Sequence, residues 1–512
     1  MKKSTTEFPD RSRLAVRLRA ISSIAILAMI PVVFYYTSLG TWDPRGRDLN
    51  TAWSAGFFAA QADAMLHGRL DVTPSYIQGE CFERDSLCYG YFGITPSLLR
   101  IPAFGILRYL HSPLTPLYVA FAVILAYWAA LQMIQRSLRE SRDSAEPQAL
   151  TLAYFIVCAV ALGPGGTLMF LTRPAVFEEA AAWGVAFVLL TLNHVWAWHS
   201  GERRSLVPAV LFAVAAANAR LTAAPACGVL GLVVAALSHF RDRQSEAGQP
   251  GLRIGSGPDH VVKPPSSRWR LLLAALCLSV LPGLTAGAVF WLKLRTPMPS
   301  PLLNEQIRSA PHWKAIRERN GDRTAGLVFA PTELVAYFRP DAVTRQSEWP
   351  FFDFRFPHEP ILWVPPLPKG GAYVEKVTSL TATMPLPWIV NVVVAAWLGL
   401  AAWSRAAGGR RVAASSSQAP TLTREQWIFG AGLLASAAAM AVLVVTTAGI
   451  TNRYLSEFFA TSVVGLALGH RVILPLLGRR PMASAAVGLV ALLLVAWSIV
   501  VTLSLTTRQV FE

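Results

Sequence analysis

The sequence predicts an all-α polytopic membrane protein with about eleven transmembrane helices, and three observations predict it. Of the 512 residues, 53% are hydrophobic and only 15% charged, whereas soluble domains carry about 25% charged residues. The mean hydropathy is +0.42. Apolar runs of about 20 residues, the length that crosses a bilayer as a helix, recur from end to end. A membrane barrel would alternate apolar and polar residues instead. The same composition excludes a soluble enzyme and a disordered chain, and the 35 Gly and 35 Pro show no collagen period.

The runs fall at 20–39, 113–134, 149–169, 178–197, 271–291, 385–404, 427–449, 454–470 and 481–504. The stretch 206–239 is too long for one helix of about 20 residues. Asn218, Arg220 and Pro225 interrupt it, so it reads as two short helices, 206–219 and 222–239, meeting at Arg220. Charge supports that division. With the N-terminus inside, the inner segments are 1–19, 135–148, 198–205, 240–270, 405–426 and 471–480. They hold 24 of the 46 Lys and Arg but only 10 of the 30 Asp and Glu. The inner side then carries +14 and the outer side +2, the asymmetry of positive inner loops. A single helix over 206–239 would put the basic loops 240–270 and 405–426 outside.

The formal charge of +16 therefore reports topology, and nucleic acid is not an expected partner. The first run follows a long basic region with no A-x-A site near Tyr36–Gly40, so it reads as a retained anchor rather than a secretory signal. The expected location is the inner (plasma) membrane, multi-pass, with the N-terminus cytoplasmic and the C-terminus extracytoplasmic. The organisation is a tail over 1–19, a transmembrane module over 20–291 that includes an outer loop at 40–112, a large outer loop at 292–384, and C-terminal helices over 385–512. Inner segments 241–268 and 405–421 are Gly/Ser/Pro-rich basic linkers.

Charge inside hydrocarbon is costly and usually functional. Seven of the runs contain no Asp, Glu, Lys or Arg, so the midplane residues that proton-coupled transport uses are missing from them. Charge collects instead at the outer tips: Arg173, Glu178 and Glu179 in LTRPAVFEEAAAWG, Arg220 in NARLTAAP, and Arg453 and Glu457 in TNRYLSEF. Taken singly, each fits a side chain snorkelling at the interface. As a set, with bases and acids together at successive outer turns, they fit an outer face that does chemistry.

The first outer loop reads as a helix over 49–66 that Asp48 could cap and His67-Gly68 ends. Its apolar faces suit the membrane interface, as does a second segment, SLLRIPAFGILRYL. Between them lie Cys81 and Cys88, the two of five cysteines outside the apolar runs. On an oxidising face they suggest a disulfide, the alternative being two free thiols. Cys158, Cys227 and Cys277 read as packing residues. His67, His111, His194 and His199 are isolated, with no metal-ligand spacing. No P-loop, G-x-S-x-G or H-E-x-x-H pattern occurs, which removes ATP-driven transport and the common hydrolase motifs. In the second outer loop, about 93 residues long, LLNEQIRSAPHWKAIRERNG reads as a polar helix. Trp313, Trp349, Phe351 and Phe352 suit either the interface or stacking on an acceptor.

Four features carry a resemblance: Asp48 early in the outer loop, the stretch Ala60 to Gly68, the stretch Tyr91-Phe92-Gly93-Ile94-Thr95-Pro96-Ser97-Leu98-Leu99, and VLFAVAAANARLTAAPACGVL of the short-helix pair. In these the chain resembles the GT-C superfamily of integral membrane glycosyltransferases, especially bacterial relatives of dolichyl-phosphate-mannose protein mannosyltransferases. The likeness runs to about residue 290. It departs where Leu49 follows Asp48 in place of the family's Asp-Glu, and where Ser97 replaces the second Pro of Pro-Pro.

The resemblance implies a GT-C-like fold and an inverting hexosyl or pentosyl transfer at the outer face. The donor would be a polyprenyl-phosphate-linked sugar, the acceptor a glycan, lipid or protein, and a divalent cation (Mg or Mn) an optional cofactor. It implies Asp48 as the base, Asp43 in reserve, and a second acidic residue at Glu178 or Glu179. The chemistry fits those residue types. A carboxylate takes the acceptor's proton, negative charge supports an oxocarbenium-like transition state, and guanidinium forks suit a leaving phosphate. Arg173, Arg220 and Arg453 are the candidates for that grip, and Tyr91 is a further substrate contact. The same residues have plainer readings: Asp48 as a helix cap, Glu178 and Glu179 at a favourable helix N-terminus, and the arginines as interface residues. A transporter or flippase of a lipid-linked saccharide, and a non-catalytic membrane protein with this fold, are the competing functions.

Overall fold

The computed structural model describes residues 11–45, 56–77, 81–106, 114–140, 147–170, 175–247, 266–297, 318, 326–355, 373–374, 377–406, 422–446, 449–450, 452–478 and 481–511. The chain is an all-α polytopic membrane protein. Among the described residues nine helices are long and apolar enough to cross a membrane. Two shorter ones, Gln148–Leu162 and Leu206–Ala219, occupy the remaining predicted positions.

In chain order the helices are α1 (Arg11–Thr37), α2 (Phe57–Leu66), α3 (Thr95–Arg100), α4 (Thr115–Glu140), α5 (Gln148–Leu162), α6 (Val176–His199), α7 (Leu206–Ala219), α8 (Ala223–Ala247) and α9 (Ser266–Leu294). Then follow α10 (Ala330–Phe338), α11 (Leu380–Thr383), α12 (Pro385–Ala406), α13 (Arg424–Val445), α14 (Phe459–Leu477) and α15 (Pro481–Phe511). The stretch 206–239 does divide, α7 ending at Ala219 and α8 beginning at Ala223, with Arg220 extended between them.

Two elements differ in extent from their hydropathy. α5 stops at Leu162 rather than 169, because Gly163-Pro164-Gly165-Gly166 follows: Pro lacks an N–H and the glycines favour a turn. The tight path also suits glycine, since a Cβ on Gly166 would lie 3.0 Å from Met384 and Phe459. The last turn before α14 is a 3-10 segment, Asn452–Phe458, rather than α-helix.

α6 is the axis of the bundle. In its most apolar window 94% of residues are buried, against 22% in α1 and α15, which places those two at the lipid-facing rim. It packs against α4, α7, α8 and α14. Small residues, Ala180, Ala181, Ala182 and Gly184, allow that close approach. Exposed Leu, Val and Trp on α9, α12 and α15 suit a lipid-facing surface.

Two hairpins extend from the bundle. In the first outer loop β1 (Cys81–Arg84) pairs antiparallel with β2 (Leu87–Gly90). Asp85 and Ser86 form its turn with φ of 54° and 61°, the doubly left-handed turn that suits tight hairpins. The expected Cys81–Cys88 disulfide is present across it. In the second outer loop β3 (Val343–Arg345) pairs with β4 (Phe352–Phe354), and Phe352 meets Trp497 of α15 edge to face. A parallel bridge joins β5 (Tyr373–Val374) to β6 (Gly449–Ile450).

Helices α8 and α9 test the packing argument. A Cβ on Gly231 would lie 2.1 Å from Ser279 Oγ and 2.5 Å from the Ala275 carbonyl, whereas at Gly228 the nearest atom is 3.9 Å away. Gly231→Val should cost about 1–3 kcal/mol by overpacking and lower the thermal midpoint in detergent, while Gly228→Ala should leave it close to wild type.

Candidate functional site

The N-terminal end of α6 gathers side chains from distant parts of the chain. Phe177 meets the Phe92 ring of the first outer loop at 5.2 Å, edge to face. Two residues on, Glu179 is completely buried and pairs with Arg100 of α3, also completely buried. The pair is bidentate: Arg100 Nη1 donates to Glu179 Oε1 and Nη2 to Oε2. Arg100 Nη1 also donates to the Pro96 carbonyl at 3.1 Å, and the guanidinium lies 4.1 Å from the Tyr118 ring centre. A buried acid of this kind needs its cation, since an unpaired buried charge costs several kcal/mol.

About 7.5 Å further along the axis at 1.5 Å per residue, Gly184 accommodates Arg220, whose Cβ would lie 2.9 Å from a Cβ on that glycine. Arg220 Nε donates to Glu457, which is fully buried in the segment Asn452–Phe458. Thr222 Oγ1 donates to the other Glu457 oxygen at 3.0 Å. The guanidinium sits 5.7 Å from the Tyr454 ring centre. Only Nε is engaged by a carboxylate, which leaves the Nη amines of Arg220 without a hydrogen-bonded partner among the described residues.

The stretch Tyr91–Ser97 packs between these groups. Tyr91 stacks on Phe92 at 4.4 Å and meets Phe82 edge to face. Gly93 touches the end of α7 so closely that a Cβ would fall 1.8 Å from the Asn218 carbonyl oxygen. Thr95 Oγ1 donates to the Ala215 carbonyl at 2.9 Å, and Asn218 Nδ2 donates to Thr285 Oγ1 of α9 at 2.8 Å. First outer loop, short-helix pair and α6 thus form one continuous packed unit.

Of the expected site residues, the structure brings Glu179, Arg220 and Tyr91 to this end of α6. Glu178 is buried beside Glu179. Asp43 lies in the turn after α1, accepting from the Arg45 backbone N–H at 2.9 Å and from Arg45 Nε at 2.8 Å. The hydrogen bond to Asp43 raises the Arg45 pKa above its ordinary value. Asp48, Arg173 and Trp313 lie outside the described residues, and Arg453 falls in the segment Asn452–Phe458 with its side chain outside the description. Trp349 and Phe351 are exposed, meeting each other edge to face. Among the described residues no group of three or more His, Cys, Asp and Glu could hold a metal ion. Glu179 is moreover paired with Arg100.

Sequence reasoning overlooked Arg100, Lys293 and Glu333. Arg100 lies in an apolar segment that resembles an interfacial helix. Lys293 lies just past the predicted end of its run, where a lysine ordinarily snorkels. Glu333, on α10 of the second outer loop, is fully buried, and neither carboxyl oxygen has a hydrogen bond of good geometry. Burial pushes its carboxyl up to about 9, against an opposing contact from Tyr337. For Arg100 and Glu333 the one available signal was a charge inside an apolar stretch; Lys293, with Arg295 just beyond it, offered none.

No protein-family model matches the sequence, and no curated protein matches it either. Among solved structures the chain is similar to the apo oligosaccharyltransferase of Archaeoglobus fulgidus, at 13% identity and a TM-score of 0.42. The similarity covers 95% of this chain and 56% of that one, so the chain spans about half the length of that protein.

Two outcomes follow. Glu179→Gln leaves Arg100 buried and unpaired, and should cost about 3–5 kcal/mol. The double variant Arg100→Met with Glu179→Gln should cost less than the two single changes summed, as a double-mutant cycle on thermal unfolding would read. For Glu333 the folded-state pKa is raised, so the folded chain binds the extra proton. Its stability is complete below the ordinary value of 4.5 and is lost as pH rises toward about 9. Glu333→Gln should flatten that decline and raise the thermal midpoint near about pH 8 above wild type.

Proposed function

We propose that the chain is a membrane glycosyltransferase that takes a sugar from a polyprenyl-phosphate donor and passes it to an acceptor at the outer face. What supports the reading is the joining of the two outer ion pairs on one end of α6, beneath the Tyr91–Ser97 stretch, while seven predicted spans carry no charge. The family resemblance of that stretch adds the reaction class.

The prenyl tail stays in lipid and the sugar-phosphate reaches the outer end of α6. Arg220, held through Nε by Glu457, offers its Nη amines to the phosphate. A carboxylate of the first outer loop, Asp48 with Asp43 in reserve, takes the proton of the acceptor hydroxyl. The hydroxyl oxygen bonds the anomeric carbon as the bond from that carbon to the phosphate oxygen breaks. Polyprenyl phosphate leaves with the electron pair, and the anomeric configuration inverts. Glu179 remains paired with Arg100 and holds α3 in place. The inner membrane, with the N-terminus inside and the C-terminus outside, is the topology this scheme uses.

The test is turnover of a polyprenyl-phosphate sugar by protein in lipid nanodiscs. Asp48→Asn should lose about 100-fold or more, and Arg220→Gln should raise the donor KM. Unchanged turnover in Asp48→Asn removes Asp48 as the base. A wild type that moves the lipid-linked sugar across a bilayer without cleaving it supports the flippase, and one that does neither supports the non-catalytic reading.

A further inference from the structure

At the end of α6 opposite Glu179, the last turn of α4 closes against the last turns of α6 through Glu140. This carboxylate accepts from Trp196 Nε1 at 2.8 and 2.9 Å and from Ser200 Oγ, and Arg471 of α14 lies 3.4 Å from it. One turn earlier, Arg136 donates to Glu202 at 2.6 Å and to Asn193 at 3.3 Å. Arg139 lies on the α1 side of the same turns. Its Nη2 donates to Gln135 Oε1 at 3.2 Å. Gln135 is buried and fastened to α1, its Nε2 donating to the Leu18 carbonyl at 3.1 Å and to Ser22 Oγ. Arg139 Nε is buried with no hydrogen-bond partner. Arg19 of α1 and Arg136 both lie near enough to repel its charge. Among the described residues neither Arg139 nor Arg19 has an ion pair, while Glu140 and Glu202 are taken by Arg471 and Arg136.

Like charges held together at the edge of a low-dielectric layer are costly unless an anion lies between them. Their position identifies the carrier of that anion. Arg19 directly precedes the apolar run 20–39, and Arg139 stands in the last turn of α4. Both are therefore at headgroup depth. α1 is a lipid-facing helix, with only 22% of its most apolar window buried, and Ile24 and Leu27 are exposed on it. These two lie about 7.5 and 12 Å from Arg19 along the axis, at 1.5 Å per residue, a track for acyl chains running inward from a headgroup. Guanidinium forks match phosphate oxygens, and basic clefts between membrane helices hold anionic headgroups.

We propose that the cleft between α1 and α4 binds an anionic phospholipid of the bilayer, with its phosphodiester on Arg139 and Arg19 and its chains along Ile24 and Leu27. Gln135 is the positioning residue, since it fixes the Arg139 fork and ties it to α1. The bound lipid offsets the repulsion between the arginines and fastens the rim helix α1 to the bundle. The site is at the opposite end of the bundle from Arg220 and Glu179.

The experiment uses the full chain in a neutral detergent, with native mass spectrometry following the binding of dioctanoyl phosphatidylglycerol, the matching phosphatidylcholine, or inorganic phosphate. Wild type should hold phosphatidylglycerol about tenfold or more tightly than phosphatidylcholine. Arg19→Gln should cut that preference about fivefold. Arg139→Lys keeps the charge but loses the fork, and should cut it by a similar factor. Arg17→Gln removes the same charge from another exposed position on α1 and should stay within about twofold of wild type. Should Arg139→Lys fail to fold, Arg19→Gln against Arg17→Gln decides, since both change exposed side chains. An Arg19→Gln that keeps the wild-type preference overturns the proposal, and so does an Arg17→Gln that loses as much as Arg19→Gln. A wild type that prefers neither lipid, or that binds inorganic phosphate as tightly as phosphatidylglycerol, overturns it as well.

Discussion

The burial of Glu179 is the constraint on which this end of the bundle depends. α6 is enclosed by neighbours almost all round, so an acid in its first turns has no route to water. Its partner must come from elsewhere in the chain. Arg100 supplies it from α3, 79 positions away in sequence, and the requirement to meet Glu179 fixes where α3 and the preceding hairpin sit. The same solution is repeated about one and a half turns along α6, where Arg220 passes over Gly184 to reach Glu457. Neither pair is evidence of high stability, since desolvation consumes most of the attraction. Their effect is on geometry: each admits one arrangement of the segments it joins.

That arrangement brings together three parts of the chain with separate sequence character. The first outer loop contributes aromatics and the disulfide hairpin, the short-helix pair contributes Arg220 and Asn218, and the C-terminal half contributes Glu457 and Tyr454. The 292–384 loop is tied to Phe458 and Trp388 through Tyr337 and Phe338 and also to the last helix. Arg508 of α15 donates to Gln346 at 2.8 Å and lies 3.5 Å from Asp353, while Phe354 packs with Val501 and Leu505. Burial pushes the Asp341 carboxyl up, but its bonds with Arg339 and its proximity to Arg355 outweigh this and hold it below the ordinary range. This loop is therefore anchored by the buried Arg339 against the half-exposed Asp341 and by buried rings, and the first loop by the completely buried Arg100–Glu179 pair.

The helices were legible because bilayer thickness imposes a length on each apolar run. The division of 206–239 was legible too, since the basic inner segments 198–205 and 240–270 that flank it demand an even number of crossings between them. Helix ends were less so: Gly163-Pro164-Gly165-Gly166 shortens α5 within a stretch whose hydropathy continues. The outer tips were found from their charge, but not their pairings. Glu178 and Glu179 are adjacent and chemically alike, and only the orientation of α6 in three dimensions assigns Arg100 to the second. Arg100 and Lys293 both sit where snorkelling is the ordinary reading, and only packing reveals that each points inward. Asp48, the expected base, lies outside the described residues, so its place at α6 belongs to the proposal alone.

The most direct measurement of the central claim is amide hydrogen exchange on Glu179→Gln beside wild type, in the same detergent and at matched pH. If the Glu179–Arg100 pair holds the first outer loop on α6, peptides from 81–106 should exchange faster in the variant, while those from α12 and α13 stay protected. Unchanged protection over 81–106, in a variant whose Arg100 has lost its carboxylate, would contradict the account.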